Sequence, residues 1–163
     1  MAVLRYVKES PRTLYGVLEY VSDNKKTSPE LIFGIGVNPQ RAFEEMMLVK
    51  QLHIKERQRQ YKQIILSFDE EESSKLPISQ LLQIGLQVGE FWGKDYQVLG
   101  AIHTDGRNTH IHYIVNSVNI HTGRKFTSSR MEMQNHKLES NKILEARGLK
   151  PIANMYVNPD NEG

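Results

Sequence analysis

Five short segments carry alternating apolar residues or β-branched side chains, and they predict five β-strands. Alternation places successive side chains on opposite faces of a strand, and β-branched residues favour an extended backbone. The segments are AVLRYVK (2–8), LIFGIGVN (31–38), YKQIILSF (61–68), YQVLGAIH (96–103) and HIHYIVNSVN (110–119). The turn sequence TDGRNT separates the last two segments and predicts a hairpin.

Between these segments the apolar residues follow the period of a helix. The first helix opens at Pro11, and its apolar face repeats at i, i+3, i+4 and i+7 with Leu14, Val17, Leu18 and Val21. Further helices are predicted over residues 39–57, 77–93 and 130–147, whereas the acid run 69–72 is predicted to be a solvated turn. Strands that alternate with helices, together with a long hairpin, predict an α/β (α+β) sandwich. Its centre is a mainly antiparallel five-stranded sheet flanked by helices.

Composition narrows the possible classes of protein. The chain has 163 residues, 39% of them hydrophobic and 25% charged, which is ordinary for one soluble globular domain. The absence of cysteine excludes disulfides, thiolate metal sites and cysteine nucleophiles. No apolar run approaches the ~20 residues that a membrane-spanning helix needs, so no membrane insertion is expected. The net charge of +2 does not by itself indicate a nucleic-acid partner. Basic ends and an acidic middle could form one positive face or an ordinary solvated surface.

Three histidines fall within the predicted hairpin. His110 and His112 share one strand face, and the turn returns the chain beside His103. Three imidazoles could then converge on one ion, with Asp105 fixing a ring tautomer. By ligand softness such a site would suit Zn, Cu, Ni or Fe. The alternative is a solvent-facing hairpin that happens to be rich in histidine.

This hairpin and two other segments resemble motifs of a known family. HTDGRNTHIHYIVN (103–116) resembles the third motif of plasmid and conjugative-element relaxases, H-x-D-x-x-x-x-H-x-H-x-x-x-N. YKQIILSFDEEE is similar to their second motif, a strand that ends in Ser-Phe before acids. RTLYGVLEYVSDNKKT is similar to the first motif, a helix whose tyrosine precedes a polar turn with lysines. The resemblance is greatest to mobilisation-type relaxases, which are HUH endonucleases with one catalytic tyrosine near the N-terminus.

The resemblance implies a fold, the bounds of the domain and a reaction. The fold would be of the HUH relaxase and Rep type, with residues 1–150 as the nuclease domain. Residues 151–163 would be a C-terminal tail, and the chain would be either part of a longer protein or a minimal member of the family. The reaction would be metal-dependent, site- and strand-specific nicking at an origin of transfer, with a 5′-phosphotyrosyl intermediate and strand transfer. Expected partners are single-stranded origin DNA, accessory relaxosome proteins and a coupling protein, in the bacterial cytoplasm.

The resemblance also assigns roles to individual residues. His103, His110 and His112 would bind Mn²⁺ or Mg²⁺, and Asp105 would support these histidines. Tyr20 would be the nucleophile, and Ser67 would hold DNA near the nick. DNA contacts are expected from residues that surround the predicted site in the sequence, although each basic one could be ordinary surface: Lys25, Lys26, Arg107, Asn116, Arg124, Lys125 and Arg130.

Several alternatives remain open from the residues alone. Tyr15 is five positions before Tyr20 on the same helix, and its ring would project about 140° away. Ser67 could instead cap the turn that follows its strand. A rolling-circle replication initiator shares the histidines but usually has its tyrosine after them. A catalytically silent DNA-binding module and a water-activating metallohydrolase are the other possible classes.

Overall fold

One antiparallel sheet organises the structure, a computed structural model that describes residues 1–8 and 10–154. The strand order is β1-β3-β5-β4-β2, and every neighbouring pair is antiparallel. The strands are β1 (Ala2–Tyr6), β2 (Ile32–Ile35), β3 (Tyr61–Phe68), β4 (Val98–His103) and β5 (His110–Asn116). The predicted five-stranded sheet and its central hairpin, β4–β5, are therefore confirmed.

Helices cover both faces of this sheet. They are α1 (Leu14–Val21), α2 (Ala42–Leu52), α3 (Glu70–Lys75), α4 (Ile78–Gly93) and α5 (Arg130–Glu145). The apolar side chains of α1 and α2 pack with Leu99, Ala101 and Ile114, whereas α4 and α5 pack on the opposite face with Ile111 and Tyr113. Within the described residues, no helix is long and apolar enough to cross a bilayer.

Strand periodicity then decides which face the histidines occupy. Leu99 and Ala101 point toward α1 and α2, so His103, two positions further along β4, points the same way. Ile114 on β5 also points toward α1 and α2. His112 and His110, two and four positions earlier on the strand, therefore point the same way. All three imidazoles therefore lie on the face covered by α1 and α2, which we call the α1/α2 face.

The helix predicted over residues 39–57 is shorter in the structure. A 3₁₀ turn over Pro39–Arg41 precedes α2, which ends at Leu52. Ile54 and Gln58 then adopt left-handed backbone angles, with φ of 56° and 68°. A β-branched residue in that region is unusual, so local preference does not explain why the helix ends there. Contacts with the rest of the fold determine the path of the 53–60 loop.

The acid run is helical, which makes the predicted solvated turn wrong. Asp69 is the N-cap of α3, and its Oδ1 accepts a hydrogen bond from the backbone nitrogen of Glu72 at 2.8 Å. The Glu72 side chain is buried, and its Oε2 accepts from the backbone nitrogen of Lys150 at 3.0 Å. This contact ties the end of the 130–150 region to α3.

The expected tail is also partly wrong, because its first residues belong to the packed domain. Ile152 is buried and forms a bridge with Ala2. The backbone nitrogen of Ala153 donates to the Ala2 carbonyl at 2.8 Å, and the Asn154 side chain bonds both backbone polar groups of Leu4. The packed chain thus extends at least to Asn154, and residues 155–163 of the expected tail lie outside the described part.

Candidate active site

The end of the β4–β5 hairpin gathers three histidine rings. His103 and His110 face each other across the two strands. The ring centroids of His103 and His112 are 4.1 Å apart, and those of His110 and His112 are 6.0 Å apart. His103 and His112 are nearly buried, whereas His110 is half-buried. The structure therefore brings together the three rings whose spacing in the sequence predicts a cluster.

One ring nitrogen of His103 and one of His112 contact protein groups, and the three rings are not arranged as a ready-made metal site. Among residues 1–8 and 10–154, no set of three or more His, Cys, Asp or Glu side chains is arranged to hold an ion. His103 Nε2 lies 2.7 Å from the Val21 carbonyl, and His112 Nδ1 lies 3.3 Å from Gln63 Nε2. Each contact occupies one nitrogen of its ring and leaves the other available.

The contact of His103 with Val21 replaces the expected support from Asp105. The Val21 carbonyl can only accept, so His103 Nε2 carries the proton and Nδ1 keeps the lone pair. Burial lowers the pKa of His103, while the hydrogen bond to Val21 and the charge of Asp105 oppose that shift. Asp105 itself is solvent-exposed in the turn. The carbonyl at the end of α1 orients this ring, and Asp105 acts on it through its charge.

His112 has a partner that the sequence analysis missed. Burial lowers the pKa of His112 to about 3, and the charges of His103, His110, Lys26 and Arg5 act in the same direction. The ring is therefore neutral at neutral pH and can offer a lone pair. Gln63 would have been a candidate once alternation along β3 was considered, because it shares a strand face with Ser67.

Tyr20 lies in the last turn of α1, and two cations pack against its ring. Its half-buried ring packs at the edge of the apolar cluster on the α1/α2 face. The Arg12 guanidinium carbon is 3.8 Å from the ring centroid, and the Lys26 ammonium is 4.0 Å from it. The Lys26 charge also lowers the pKa of both His103 and His112. Lys26 thus links the tyrosine electrostatically to the histidines.

The structure separates Tyr20 from its rival on the same helix. Both tyrosines border an open groove of about 800 Å³ between α1 and residues 39–44. The exposed Tyr15 hydroxyl is hydrogen-bonded to the Glu19 carboxylate, and this bond, followed by the charge of Glu19, raises the pKa of Tyr15. A raised pKa disfavours the phenolate that would attack a phosphate. The environment therefore favours Tyr20 as the candidate nucleophile.

Ser67 lies beside the histidines and has no capping role. It faces His110 across β3 and β5, and its side chain is half-buried on the α1/α2 face. The residue that caps the following helix is Asp69. The alternative interpretation of Ser67 as a cap is therefore wrong, and its position is compatible with the role near the nick.

Of the expected DNA-contacting residues, three lie near the histidines. Lys26 is half-buried beside Tyr20, and Lys25 is exposed in the same turn. Arg107 is exposed in the turn that joins β4 to β5, between His103 and His110. These cations lie near the turn end of the hairpin, where a phosphate could approach.

Asn116 does not lie where DNA could contact it. Its side chain is fully buried near the other end of β5, about 20 Å from His110 at ~3.3 Å per residue. Its amide nitrogen donates to the Met46 carbonyl and to Gln97 Oε1, and its oxygen accepts from the Lys50 ammonium. Asn116 shares the strand face of His110 and His112, but it joins β5 to α2 and does not contact solvent.

The remaining basic candidates are also misplaced for the histidine site. Arg124 and Lys125 follow the far end of β5, and the Lys125 ammonium donates to three backbone carbonyls of the 53–60 loop. Arg130 begins α5, which packs on the opposite face of the sheet. Proximity in sequence did not become proximity in space for these three residues.

The family follows from a comparison over most of this chain. The family model for the relaxase nuclease domain of MobA/VirD2 type matches residues 20–149. The chain belongs to this relaxase family. The resemblance inferred from the three motifs is therefore confirmed.

Individual relatives agree with the assignment. Two Staphylococcus aureus proteins named rlx are 39% identical to the relaxase chain over 67 residues and 34% identical over 70 residues. These matches cover 41% and 43% of this chain but only 21% and 22% of the relatives. The chain thus aligns with about a fifth of the length of the curated relatives it matches.

Solved structures show the same fold. The MobM relaxase domain, solved with Mn and oriT DNA of plasmid pMV158, has a TM-score of 0.65 at 15% identity. The match covers 99% of this chain and 92% of that domain. A second MobM complex, with a 26-nucleotide oriT DNA, gives a TM-score of 0.64 at 16% identity. At this identity the likeness establishes the fold.

Proposed function

We propose that this chain is the nicking domain of a DNA relaxase that starts the mobilisation of a plasmid or integrative element. It would cut one strand at an origin of transfer by transesterification. The position of Tyr20 carries the proposal, because two cations pack against the ring and one of these also acts on the histidine cluster. A phosphate held by the same cations would lie against the phenol. We also propose accessory relaxosome proteins and a coupling protein as partners, in a bacterial cytoplasm.

The proposed reaction exchanges one phosphate ester for another. The Tyr20 oxygen forms a bond to phosphorus while the bond from phosphorus to the 3′ oxygen breaks. The phenol loses its proton, and the departing 3′ oxygen gains one. The products are a 5′-phosphotyrosyl adduct and a free 3′-OH. Arg12 and Lys26 would stabilise the negative charge that grows on the phosphate oxygens. Because the ester bond energy is retained, the same site could rejoin the ends.

The histidines fit a divalent ion by the chemistry of their donors. Burial lowers the pKa of both His103 and His112, which favours their neutral rings, and each ring retains one nitrogen beyond its protein contact. We propose that His103, His110 and His112 hold Mn²⁺ or Mg²⁺, and the Mn-bound state of the MobM domain supports this assignment. When bound, the ion would polarise the scissile phosphate and offset its charge. The rings would still have to rotate to direct three nitrogens at one point.

Gln63 would act as a positioning residue for His112. If the amide turns its oxygen to His112, that oxygen accepts Nδ1–H and leaves Nε2 for the ion. Replacing Gln63 with leucine should weaken Mn²⁺ binding about 10-fold, as expected for the loss of an outer hydrogen bond. Isothermal titration calorimetry measures this affinity directly. The control Gln87→Leu changes an exposed glutamine of α4. Equal Mn²⁺ affinity in both variants and the unaltered protein would show that Gln63 does not position His112 for the ion.

The nicking proposal itself is tested by trapping the covalent intermediate. The protein is incubated with Mn²⁺ and labelled single-stranded oligonucleotides tiled across the mobile element that encodes it. We expect one oligonucleotide to yield a protein–DNA adduct that survives boiling in dodecyl sulfate. Cleavage without an adduct would indicate a water-activating metallohydrolase. Binding without cleavage would indicate a silent DNA-binding module, and either result would overturn the proposal.

A further inference from the structure

An exposed apolar strip runs along α2 on the side opposite to the buried residues of that helix. Leu48 and Leu52 lie one turn apart in this strip, with 53% and 72% of their surfaces exposed. Beside them is a hollow of about 440 Å³, lined in part by Phe43 and Met47. We call this side the α2 outer face and define it by its exposed residues Glu44, Leu48, Gln51, Leu52, Ile54 and Lys55.

Ile54 extends the apolar strip beyond the end of the helix. Its side chain is 88% exposed, and its φ of 56° lies in the left-handed region that β-branched residues avoid. Single exposed apolar side chains are common on monomeric proteins, but here three large ones fall within seven residues of the chain. A partner that covers Leu48, Leu52 and Ile54 would remove a continuous apolar strip from water.

The two ends of the α2 outer face carry opposite charge. Two acids and one base lie at the start of the helix, at Arg41, Glu44 and Glu45. Three bases and one acid follow its end, at Lys55, Glu56, Arg57 and Arg59. The Lys125 ammonium donates to the carbonyls of Lys55, Arg57 and Arg59, which holds the basic end in place. The start of the helix and the loop behind it are therefore complementary to each other in charge.

A second copy of the same face would match both the apolar strip and the charges. In an antiparallel pair of α2 helices related by a two-fold axis, the start of each helix lies against the end of the other. The apolar middle of one copy then covers the apolar middle of the other, and Glu44 of one copy lies opposite Lys55 of the other. Opposite charges placed in this way fix the register of the pair.

We propose that the α2 outer face is the contact surface of a symmetric, antiparallel dimer of this chain. The proposal does not depend on the nicking function. Because α2 has 11 residues and is about 16 Å long, the contact is smaller than that of a stable dimer. Half of the chains should therefore be dimeric only at concentrations on the order of 10–100 µM. Glu44 also borders the groove beside Tyr20, so the second copy lies at the margin of that groove.

Sedimentation equilibrium tests whether the dimer exists and whether the apolar strip forms it. The unaltered protein is compared with Leu48→Gln/Leu52→Gln and with the control Ile78→Gln/Leu86→Gln, which changes two exposed apolar residues of α4. The first variant should associate at least about 10-fold more weakly because it loses the apolar contact, and the control should match the unaltered protein. An unaltered protein that stays monomeric up to about 500 µM would overturn the proposal.

Cross-linking tests which face forms the contact. Since the chain has no cysteine, a single introduced thiol reports on its own surroundings. Gln51→Cys places a thiol on the α2 outer face near the two-fold axis, and Gln87→Cys places one on exposed α4 as the control. Mild oxidation at the dimeric concentration should link the first variant and leave the second monomeric on non-reducing gels. Equal linking of both variants would show that another surface forms the dimer.

A charge exchange tests the antiparallel register. Glu44→Lys and Lys55→Glu should each weaken association about 5-fold, because each places like charges opposite one another twice in the symmetric pair. The combined variant restores opposite charges and should associate within about two-fold of the unaltered protein. Combined substitutions that weaken association further would contradict the antiparallel arrangement.

Discussion

Tyr20→Phe should abolish the covalent protein–DNA adduct while leaving DNA binding within about two-fold of the unaltered protein. Removing the hydroxyl removes the only atom proposed to bond to phosphorus, and loss of a covalent nucleophile typically lowers rates by far more than 10³-fold. The phenylalanine ring keeps the packing against the apolar cluster and the contacts with Arg12 and Lys26. Adduct yield in denaturing gels, together with anisotropy for binding, measures the two properties separately.

Tyr15→Phe is the matched control for this variant. It removes a hydroxyl from the same helix, bordering the same groove, but one that is bonded to Glu19. We expect adduct formation to stay within about two-fold, because this hydroxyl has no proposed role in bond exchange. Loss of the adduct in Tyr15→Phe and its retention in Tyr20→Phe would identify Tyr15 as the nucleophile and exclude Tyr20. Loss in both would point to a requirement for the helix surface as a whole.

His112→Ala should weaken Mn²⁺ binding by about 100-fold or more and lower adduct formation accordingly. Removing a ligand should cost at least as much as removing an outer hydrogen bond, which costs 10–100-fold. His112 is the central ring of the cluster, since it is near both His103 and His110. Calorimetry with Mn²⁺ measures the affinity, and adduct yield with increasing Mn²⁺ tests whether excess ion restores activity.

His121→Ala serves as the control for the histidine variant. His121 is exposed, and its Nε2 contacts the Lys94 carbonyl away from the cluster. This variant should retain both Mn²⁺ affinity and adduct yield. Because His112 is nearly buried, thermal unfolding of His112→Ala is measured without metal to separate a packing defect from ligand loss. Full Mn²⁺ affinity in a folded His112→Ala protein would exclude this ring as a ligand.

The sequence by itself determined the strands, the hairpin and the gathering of three histidines. These features depend on local rules: residues two apart share a strand face, and a short turn returns the chain beside itself. The helical period likewise placed the apolar face of α1 from Leu14 to Val21. The motif order added the family, which the comparison over residues 20–149 confirms. It also singled out Tyr20, which no local pattern separated from Tyr15.

Only the tertiary structure decided which groups surround the site. The Val21 carbonyl reaches His103 because α1 covers one face of the sheet, and Gln63 reaches His112 because β3 pairs with β5 in one register. Asn116 follows the strand alternation correctly yet is buried, since α2 covers that part of the same face. Lys125 supports a loop from a position 66 to 70 residues later in the chain. Periodicity gives the direction of a side chain, whereas its neighbours depend on contacts between distant segments that local pattern does not specify.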